Sequence, residues 1–149
     1  MIEIEKAKPE DMEAILKIQY AAYQSEALLH NDFTIQPLTQ TLEESIEEYH
    51  KSVVLKAVQA GEIIGSVRAR AEGGTVCIGK MMVHPDHQGK GLGKRLLAAI
   101  EKEFPCKRFE LYTAAKSKRN LQFYKTAGYT PLREVTDNSG IVFVFLGKG

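Results

Sequence analysis

The sequence predicts an α+β fold in one domain that spans residues 1–149. Three observations lead to this prediction. The length of 149 residues suits one domain with its own core, strand-like and helix-like segments are intermixed, and turn signals between consecutive strands favour antiparallel pairing. Hydrophobic residues make up 44% of the chain and charged residues 26%, which excludes the disordered and collagen-like classes.

The first third of the chain predicts one strand followed by two helices. Ile2 and Ile4 alternate with glutamates, which is the period-2 pattern of a half-buried strand. Pro9 before two acidic residues is typical of the first turn of a helix, and apolar residues then recur at helical spacing to about residue 24. Thr39 or Thr41 is expected to cap the second helix.

The middle of the chain predicts three antiparallel strands and an amphipathic helix. Turns containing Gly61 and then Gly73 separate the strands. Arg68 and Arg70 alternate with small apolar residues, which is typical of one buried and one polar strand face. The helix has one apolar face and ends before Pro105. The predicted segments are strands 53–59, 62–71 and 75–83 and helix 92–104.

The last part of the chain predicts a strand, a helix and a hairpin. Gly128 follows the helix at the position where a left-handed residue commonly ends one, and a turn at residues 137–140 joins the last two strands. The final strand is apolar throughout, which is typical of burial on both faces and would suit a homodimer contact. The predicted segments are strand 108–113, helix 117–127 and strands 129–135 and 141–146.

Cysteine and histidine spacing predicts neither a disulfide framework nor a metal site. Cys77 and Cys106 belong to no C-x-x-C or Cys/His pattern, and Cys77 is interpreted as a small buried apolar residue. His84 and His87 lie on either side of a proline turn rather than on one helix face. Apolar runs are too short for a membrane span and no signal-peptide pattern follows Met1, so we expect a cytoplasmic protein without a membrane partner.

Charge is almost balanced overall but unevenly distributed. The 20 basic and 19 acidic residues give a formal net charge of +1, which predicts no nucleic-acid partner. Residues 1–50 contain 11 acidic and 3 basic residues, a balance of −8, whereas residues 51–149 carry +9. The near-neutral total is therefore the sum of an acidic first third and a basic remainder.

The glycine-rich stretch from Gln88 to Lys94 predicts a pyrophosphate-binding loop between a strand and a helix. Glycines let backbone N–H groups converge on an anion, the helix start adds partial positive charge, and Lys90, Lys94 and Arg95 add cations. A P-loop is excluded because Gln88 replaces its first glycine and Arg95 its hydroxyl residue. The dinucleotide fingerprint also fails, because Lys94 stands where its third glycine belongs.

Two separated motifs resemble those of the GNAT superfamily of acyl-CoA-dependent N-acyltransferases. Residues 83–93, VHPDHQGKGLG, are similar to its [Q/R]-x-x-G-x-[G/A] loop after a strand ending in V-x-P, and residues 120–129, NLQFYKTAGY, to its second motif ending in Y-x-x-x-G-[F/Y]. The predicted order of elements agrees as well. The resemblance implies an α/β sandwich with a mixed, mostly antiparallel central sheet of about seven strands and about four helices.

The resemblance also implies an acetyl-CoA-dependent N-acetyltransferase that needs no metal and transfers the acetyl group directly to an amine in a ternary complex. The backbone at the end of the strand would pair with the pantetheine arm, and the Met82 amide would point at the thioester oxygen and stabilise an oxyanion. The implied cofactor-binding residues are Met81, Met82, Val83, Gln88, Gly89, Lys90, Gly91, Leu92, Gly93, Lys94 and Asn120.

Tyr124 is the catalytic residue that the resemblance implies, because a phenol near the leaving thiolate can donate a hydrogen bond or a proton. Asn120 resembles the asparagine near the pantetheine, although many relatives place theirs where this chain has Ser117, a residue that also suits a helix cap. Many relatives carry a glutamate that serves as the general base where this chain has Gly79. The remaining candidate bases are Glu26, Glu72, Glu110, Tyr112, His84 and a water chain, and none is assigned.

The sequence leaves the acceptor open among small-molecule and peptide amines. In the family the first two helices usually border the acceptor site, so the acidic residues Glu43, Glu44, Glu47 and Glu48 would form a rim that attracts cationic amines, or simply a solvated helix face. Two other functions stay open. One is a CoA-binding sensor that has lost catalysis, which the glycine at position 79 allows, and the other is a mononucleotide-binding protein.

Overall fold

The computed structural model describes residues 1–105 and 108–149, and in these residues a seven-stranded mixed sheet is covered by helices on both faces. Cys106 lies outside the described residues. The strands are β1 Ile2–Lys6, β2 Val53–Gln59, β3 Glu62–Glu72, β4 Thr75–Val83, β5 Arg108–Ala114, β6 Thr130–Thr136 and β7 Val142–Lys148. The helices are α1 Met12–Ala22, α2 Gln24–His30, α3 Gln36–Thr39, α4 Leu42–His50, α5 Leu92–Lys102 and α6 Lys118–Thr126, with 3-10 helices at Pro9–Asp11 and Pro85–His87.

The predicted fold class is confirmed, and the structure adds two short helices. Each of the seven predicted strands and four predicted helices has a counterpart, with small shifts at the ends. The sequence does not predict α2 and α3, because α3 has only four residues and Leu28 and Leu29 of α2 are exposed instead of forming an apolar stripe. Within the described ranges, no helix combines the length and apolar composition needed to cross a membrane.

Residues at the ends of α4 and α6 explain where these helices start and stop. Thr41 caps α4: its side chain accepts from the Glu44 N–H at 3.2 Å, and the Glu44 carboxylate accepts from the Thr41 N–H at 2.8 Å. Gly128, with φ 98°, follows α6 in the left-handed conformation predicted from the sequence.

One pair of neighbouring strands in the sheet is parallel. The strand order is β1-β2-β3-β4-β5-β7-β6, and the other neighbours pair antiparallel. Helix α5 connects the parallel strands β4 and β5, as such a crossover requires. These two strands pair only from Thr75 to Cys77 and from Arg108 to Glu110. Beyond that point they leave a gap, which we call the β4–β5 opening.

A β-bulge lies in the part of β4 that borders the opening. Ser66 and Arg68 of β3 pair with Met82 and Gly79, so one residue of β3 lies opposite two of β4. The extra residue is Lys80, which has a left-handed φ of 49°. A bulge of this kind bends its strand and increases the local twist, which is consistent with the absence of β4–β5 pairing beyond Cys77.

The prediction that the last strand is buried on both faces is only half right. Strand β7 lies between β5 and β6, so both of its edges are paired. Val144 and Leu146 are buried in the core, whereas Phe143 and Phe145 are half-buried beside Tyr112, with ring centroids 5.4 and 5.1 Å away. The homodimer contact at this strand stays a prediction.

Helix α5 packs its apolar face on the sheet directly beneath the candidate loop. Leu92, Leu96, Leu97 and Ile100 are at most 2% exposed and belong to the larger core cluster. The loop before α5 is therefore attached to a closely packed part of the molecule.

Replacing Leu96 with alanine is expected to lower the free energy of unfolding by about 3 kcal/mol, because a fully buried leucine leaves a cavity when truncated. Urea unfolding measures the change. The exposed neighbour Ala98 provides a control, since Ala98→Ser should change stability by less than about 1 kcal/mol. Equal effects of the two substitutions would contradict the packing described here.

Candidate active site

The pairing of β4 with β3 determines which backbone N–H and carbonyl groups of β4 face the β4–β5 opening. The His84 N–H donates to the Ile64 carbonyl at 2.8 Å, and the register places Met82 opposite Ser66, two residues away. Antiparallel pairs alternate, so Met82 also directs its N–H and carbonyl toward β3. Its carbonyl oxygen indeed lies only 3.0 Å from a Cβ built at Gly65.

The expectation that the Met82 amide faces a thioester is therefore wrong. The two groups of a trans peptide unit point in opposite directions. Because Met82 faces β3, the carbonyl of Met81 and both the N–H and the carbonyl of Val83 face the opening. The Gln88 side chain donates to this Val83 carbonyl at 3.1 Å.

The glycine-rich loop has a backbone conformation that is compatible with an anion site. Gly89 and Gly91 have left-handed φ angles of 80° and 77°, and a Cβ at either would meet no atom within 4 Å. Gly91 starts α5 without a side-chain cap, and the first intrahelical bond is donated by Arg95 to the Gly91 carbonyl at 3.3 Å. The N–H groups of Leu92, Gly93 and Lys94 precede this bond and so have no intrahelical acceptor.

The cations near the loop differ in how they are held. Lys90 and Lys94 are exposed and can reach an anion. Arg95 is not a mobile cation as expected, because its Nη2 donates to the Ile2 carbonyl of β1 at 2.9 Å. Gly93 packs against the rings behind the loop, since a Cβ there would lie 3.5 Å from Phe123 of α6.

Tyr124 lies on α6 next to Phe123, whose ring lies beside Gly93 of the loop. The ring of Tyr124 packs edge-on against those of Phe123 and Tyr129, with ring centroids 5.2 and 6.2 Å away. Burial raises the pKa of Tyr124 to about 12, and the negative charge of Glu26 adds to this increase. The phenol is therefore a hydrogen-bond donor that stays protonated at neutral pH.

The side chains of Ser117 and Asn120 are both hydrogen-bonded to other side chains of the protein. Ser117 Oγ donates to the Glu26 carboxylate, at 2.7 and 2.9 Å from its two oxygens, and does not cap α6. Asn120 is exposed and its Nδ2 donates to Thr113 Oγ1 at 3.3 Å. The Ser117 contact joins α2 to the start of α6 and holds Glu26 in the surroundings of Tyr124.

The candidate bases differ in the groups to which they are bonded. Glu72 pairs with Arg70 at 3.4 Å, Glu110 pairs with Arg133 at 3.1 Å, and His84 Nδ1 accepts from the Asp86 N–H. Glu26 is the candidate carboxylate whose charge acts on Tyr124. Sequence reasoning could not select it, because α2 itself carries no clear pattern.

A buried polar network beside the opening was not expected from the sequence. Arg68 is 3% exposed and its Nη1 donates to Glu48 Oε1 at 2.8 Å, while Lys80 Nζ lies 3.3 Å from Glu48 Oε2. Burial alone would raise the pKa of Glu48, but Lys80 and Arg68 lower it overall. Gln40 bonds to Glu48, and Gln19 Nε2 donates to Gln40 Oε1 at 2.9 Å.

This network changes the acidic rim expected on α4. Glu48 points inward to Arg68 and Lys80, and Glu44 is bonded to the Thr41 backbone. Glu43 and Glu47 are left as the exposed acids of the expected set that bind no other group among the described residues. Only two of the four expected carboxylates are thus free to form a rim, and attraction of a cationic amine by them stays a prediction.

Comparison with known proteins gives the fold and the family. A family model described as the acetyltransferase (GNAT) domain matches residues 18–147. The uncharacterized N-acetyltransferase ycf52 of Gracilaria tenuistipitata var. liui is 32% identical over 84 residues, which cover 56% of this chain and 43% of that protein. The match thus spans less than half the length of this curated relative.

Solved structures resemble the whole described chain. The PaiA N-acetyltransferase from Thermoplasma acidophilum, in complex with coenzyme A, has a TM-score of 0.78 at 16% identity and covers 97% of this chain and 98% of its own. The structure of yncA from Salmonella typhimurium with its cofactor acetyl-CoA has a TM-score of 0.75 at 23% identity, covering 98% and 92%. The architecture is thus that of N-acetyltransferases. Since the family model matches most of the sequence, the chain belongs to the GNAT acetyltransferase family.

Proposed function

We propose that this protein transfers an acetyl group from acetyl-CoA to an amine by direct attack in a ternary complex. The observation that carries the proposal is the β4–β5 opening next to a glycine loop with unpaired helix N–H groups. An extended arm bound in the opening and a pyrophosphate bound at the loop would use adjacent parts of one site. The acceptor is a small-molecule or peptide amine.

The residues present fit this cosubstrate. The amides at the start of α5, with Lys90 and Lys94 nearby, would hold the pyrophosphate, and Gly89 and Gly91 leave room for it. The Val83 N–H and the Met81 carbonyl would pair with the pantetheine amides as an added strand would. Acetyl-CoA would supply an activated thioester at the end of this arm. Since the Met82 N–H faces β3, the Val83 N–H would stabilise an oxyanion if the thioester oxygen, rather than a pantetheine carbonyl, lies beside it.

Tyr124 would hydrogen-bond the leaving sulfur rather than transfer its proton fully. Its pKa of about 12 lies well above that of an ordinary thiol, about 8.5, so a thiolate does not remove the phenol proton. A hydrogen bond to the developing negative charge still lowers the barrier. Burial strengthens this bond, because it lowers the local dielectric constant.

Glu26 would accept the proton that the attacking amine must lose. It is held by Ser117 and acts electrostatically on Tyr124. The substitution Glu26→Gln is therefore expected to lower kcat/KM for the amine by about 10²-fold while leaving CoA affinity unchanged. Steady-state kinetics with calorimetric CoA titration measures both. Ser117→Ala, which removes only the orienting hydrogen bond, should cost about 10-fold or less, and an unchanged rate in Glu26→Gln would mean that the proton leaves by a water chain.

Release of free thiol from acetyl-CoA, measured with a panel of amines, tests the proposed function. Amine-dependent release supports it. Tight CoA binding without release for any amine would favour a sensor that has lost catalysis. Thermal stabilisation by ATP rather than by CoA would favour a mononucleotide-binding protein instead.

A further inference from the structure

Arg68 has an unused hydrogen-bonding edge on the sheet face that carries the active-site network. Its Nη1 is bonded to Glu48, whereas Nε and Nη2 have no partner among residues 1–105 and 108–149. These two N–H groups lie on the same side of the planar guanidinium, where they match the two oxygens of a carboxylate. Buried charged donors are rarely left unpaired, so this edge is suited to a ligand.

The charges around Arg68 do not satisfy its free edge. Arg68 and Lys80 are cations and Glu48 is the carboxylate between them. Glu26 is a second carboxylate in the region, since its charge acts on Tyr23 as that of Arg68 does, but its own bond is to Ser117. Buried donors without an acceptor are unfavourable. A carboxylate on a ligand would supply the acceptor that Nε and Nη2 lack.

The strand position opposite Arg68 leaves open space, whereas the Nε and Nη2 atoms themselves are buried. Gly79 is its cross-strand partner, and a Cβ at Gly79 would meet no atom within 4 Å. Gly79 is partly exposed, so this space opens to the surface. Burial, the phenols of Tyr124 and Tyr112 and the carboxylate of Glu26 raise the pKa of Tyr23, and Arg68 opposes them, so these groups border one region.

We infer that the acceptor is an amine that also carries a carboxylate, and that the free edge of Arg68 binds this carboxylate. The inference rests on the proposed acetyl transfer. Gly79 lies opposite Arg68 and Val83 directs its N–H to the opening, and these two residues are four apart, at most about 13 Å along a strand. This distance limits the acceptor to the size of an amino acid or a short peptide. Polyamines have no group that accepts from the two donors of Arg68.

Matched acceptor pairs test this inference in the unaltered protein. Amino acids and dipeptides are each compared with the corresponding carboxamide, and rates are expressed per deprotonated amine because the two forms differ in amine pKa. The carboxylate form is expected to have a kcat/KM about 10-fold to 100-fold higher, the range of a charge-assisted hydrogen-bonded pair. Most of the difference should lie in the KM for the acceptor.

A substitution at Arg68 identifies the residue responsible. Arg68→Lys keeps the charge but removes the paired edge, so the preference for carboxylate over carboxamide should fall to about 3-fold or less. CoA affinity and thermal unfolding of the variant show whether it is folded, and if it is not, the acceptor pairs alone decide. Equal rates for the two forms, or a preference for polyamines, would overturn the inference. Absence of thiol release with every acceptor would instead reject the proposed function itself.

Discussion

Replacing Tyr124 with phenylalanine is expected to lower kcat by about 10²-fold while leaving the KM for acetyl-CoA nearly unchanged. The ring keeps its contacts with Phe123 and Tyr129, so folding and cofactor binding should be preserved. The substitution removes one hydroxyl whose hydrogen bond to the leaving sulfur strengthens in the transition state. Initial rates of thiol release at varied acetyl-CoA concentration give kcat and KM, and calorimetric titration of CoA measures cofactor binding separately.

The pH dependence of this variant distinguishes a hydrogen bond from a titrating acid. Because the pKa of Tyr124 is about 12, its phenol is protonated throughout the range from about pH 6 to about pH 10. The ratio of wild-type to variant kcat should therefore be constant over that range. Tyr49→Phe is the matched control, since its hydroxyl donates to the Ala7 carbonyl at 3.0 Å rather than to a group of the proposed site. Equal kcat in Tyr124→Phe and the wild type would remove the role of Tyr124.

Replacing Gly91 with valine is expected to weaken CoA binding by about 10²-fold. Gly91 has a φ of 77° at the start of α5, and a β-branched residue disfavours this conformation by about 1–2 kcal/mol. The loop would move to relieve the strain, and the amides of the first helical turn would no longer converge on one anion. Calorimetric titration with CoA gives the dissociation constant directly.

Gly61 provides a control with nearly the same backbone conformation. Its φ is 82° and a Cβ would meet no atom within 4 Å, but it lies in the β2–β3 hairpin. Gly61→Val should therefore cost similar stability without changing CoA affinity. If both variants bound CoA equally well, the loop conformation would not be what holds the pyrophosphate.

The sequence predicts most of the sheet because its local patterns agree with the final packing. Alternation along β1, the Thr41 cap and the left-handed Gly128 are local signals that the structure confirms. Helix α2 differs: its position depends on contacts such as the one between Glu26 and Ser117, 91 residues apart. Such a contact leaves no periodic trace in either segment.

Two errors at the site have the same physical origin. Alternation in β3 indicates that Arg68 lies on the polar face, but it does not reveal that α4 covers this face and buries the side chain. The direction of the Met82 amide depends on which residues of β3 and β4 form hydrogen-bonded pairs. A regular hydrophobic pattern gives the face of a side chain, whereas the orientation of a backbone amide follows from register.

The bulge at Lys80 affects how β4 can pair with β5. Apart from Lys80, the side chains of β4 alternate as they would in a regular strand: Ile78 and Met81 pack in one core cluster, and Met82 in the cluster on the opposite face. Without Lys80, β4 would be a regular strand, and its backbone groups would be free to pair with β5 beyond Cys77. Deletion of this one residue is therefore expected to change the pairing of β4 while leaving its side chains on the same two faces.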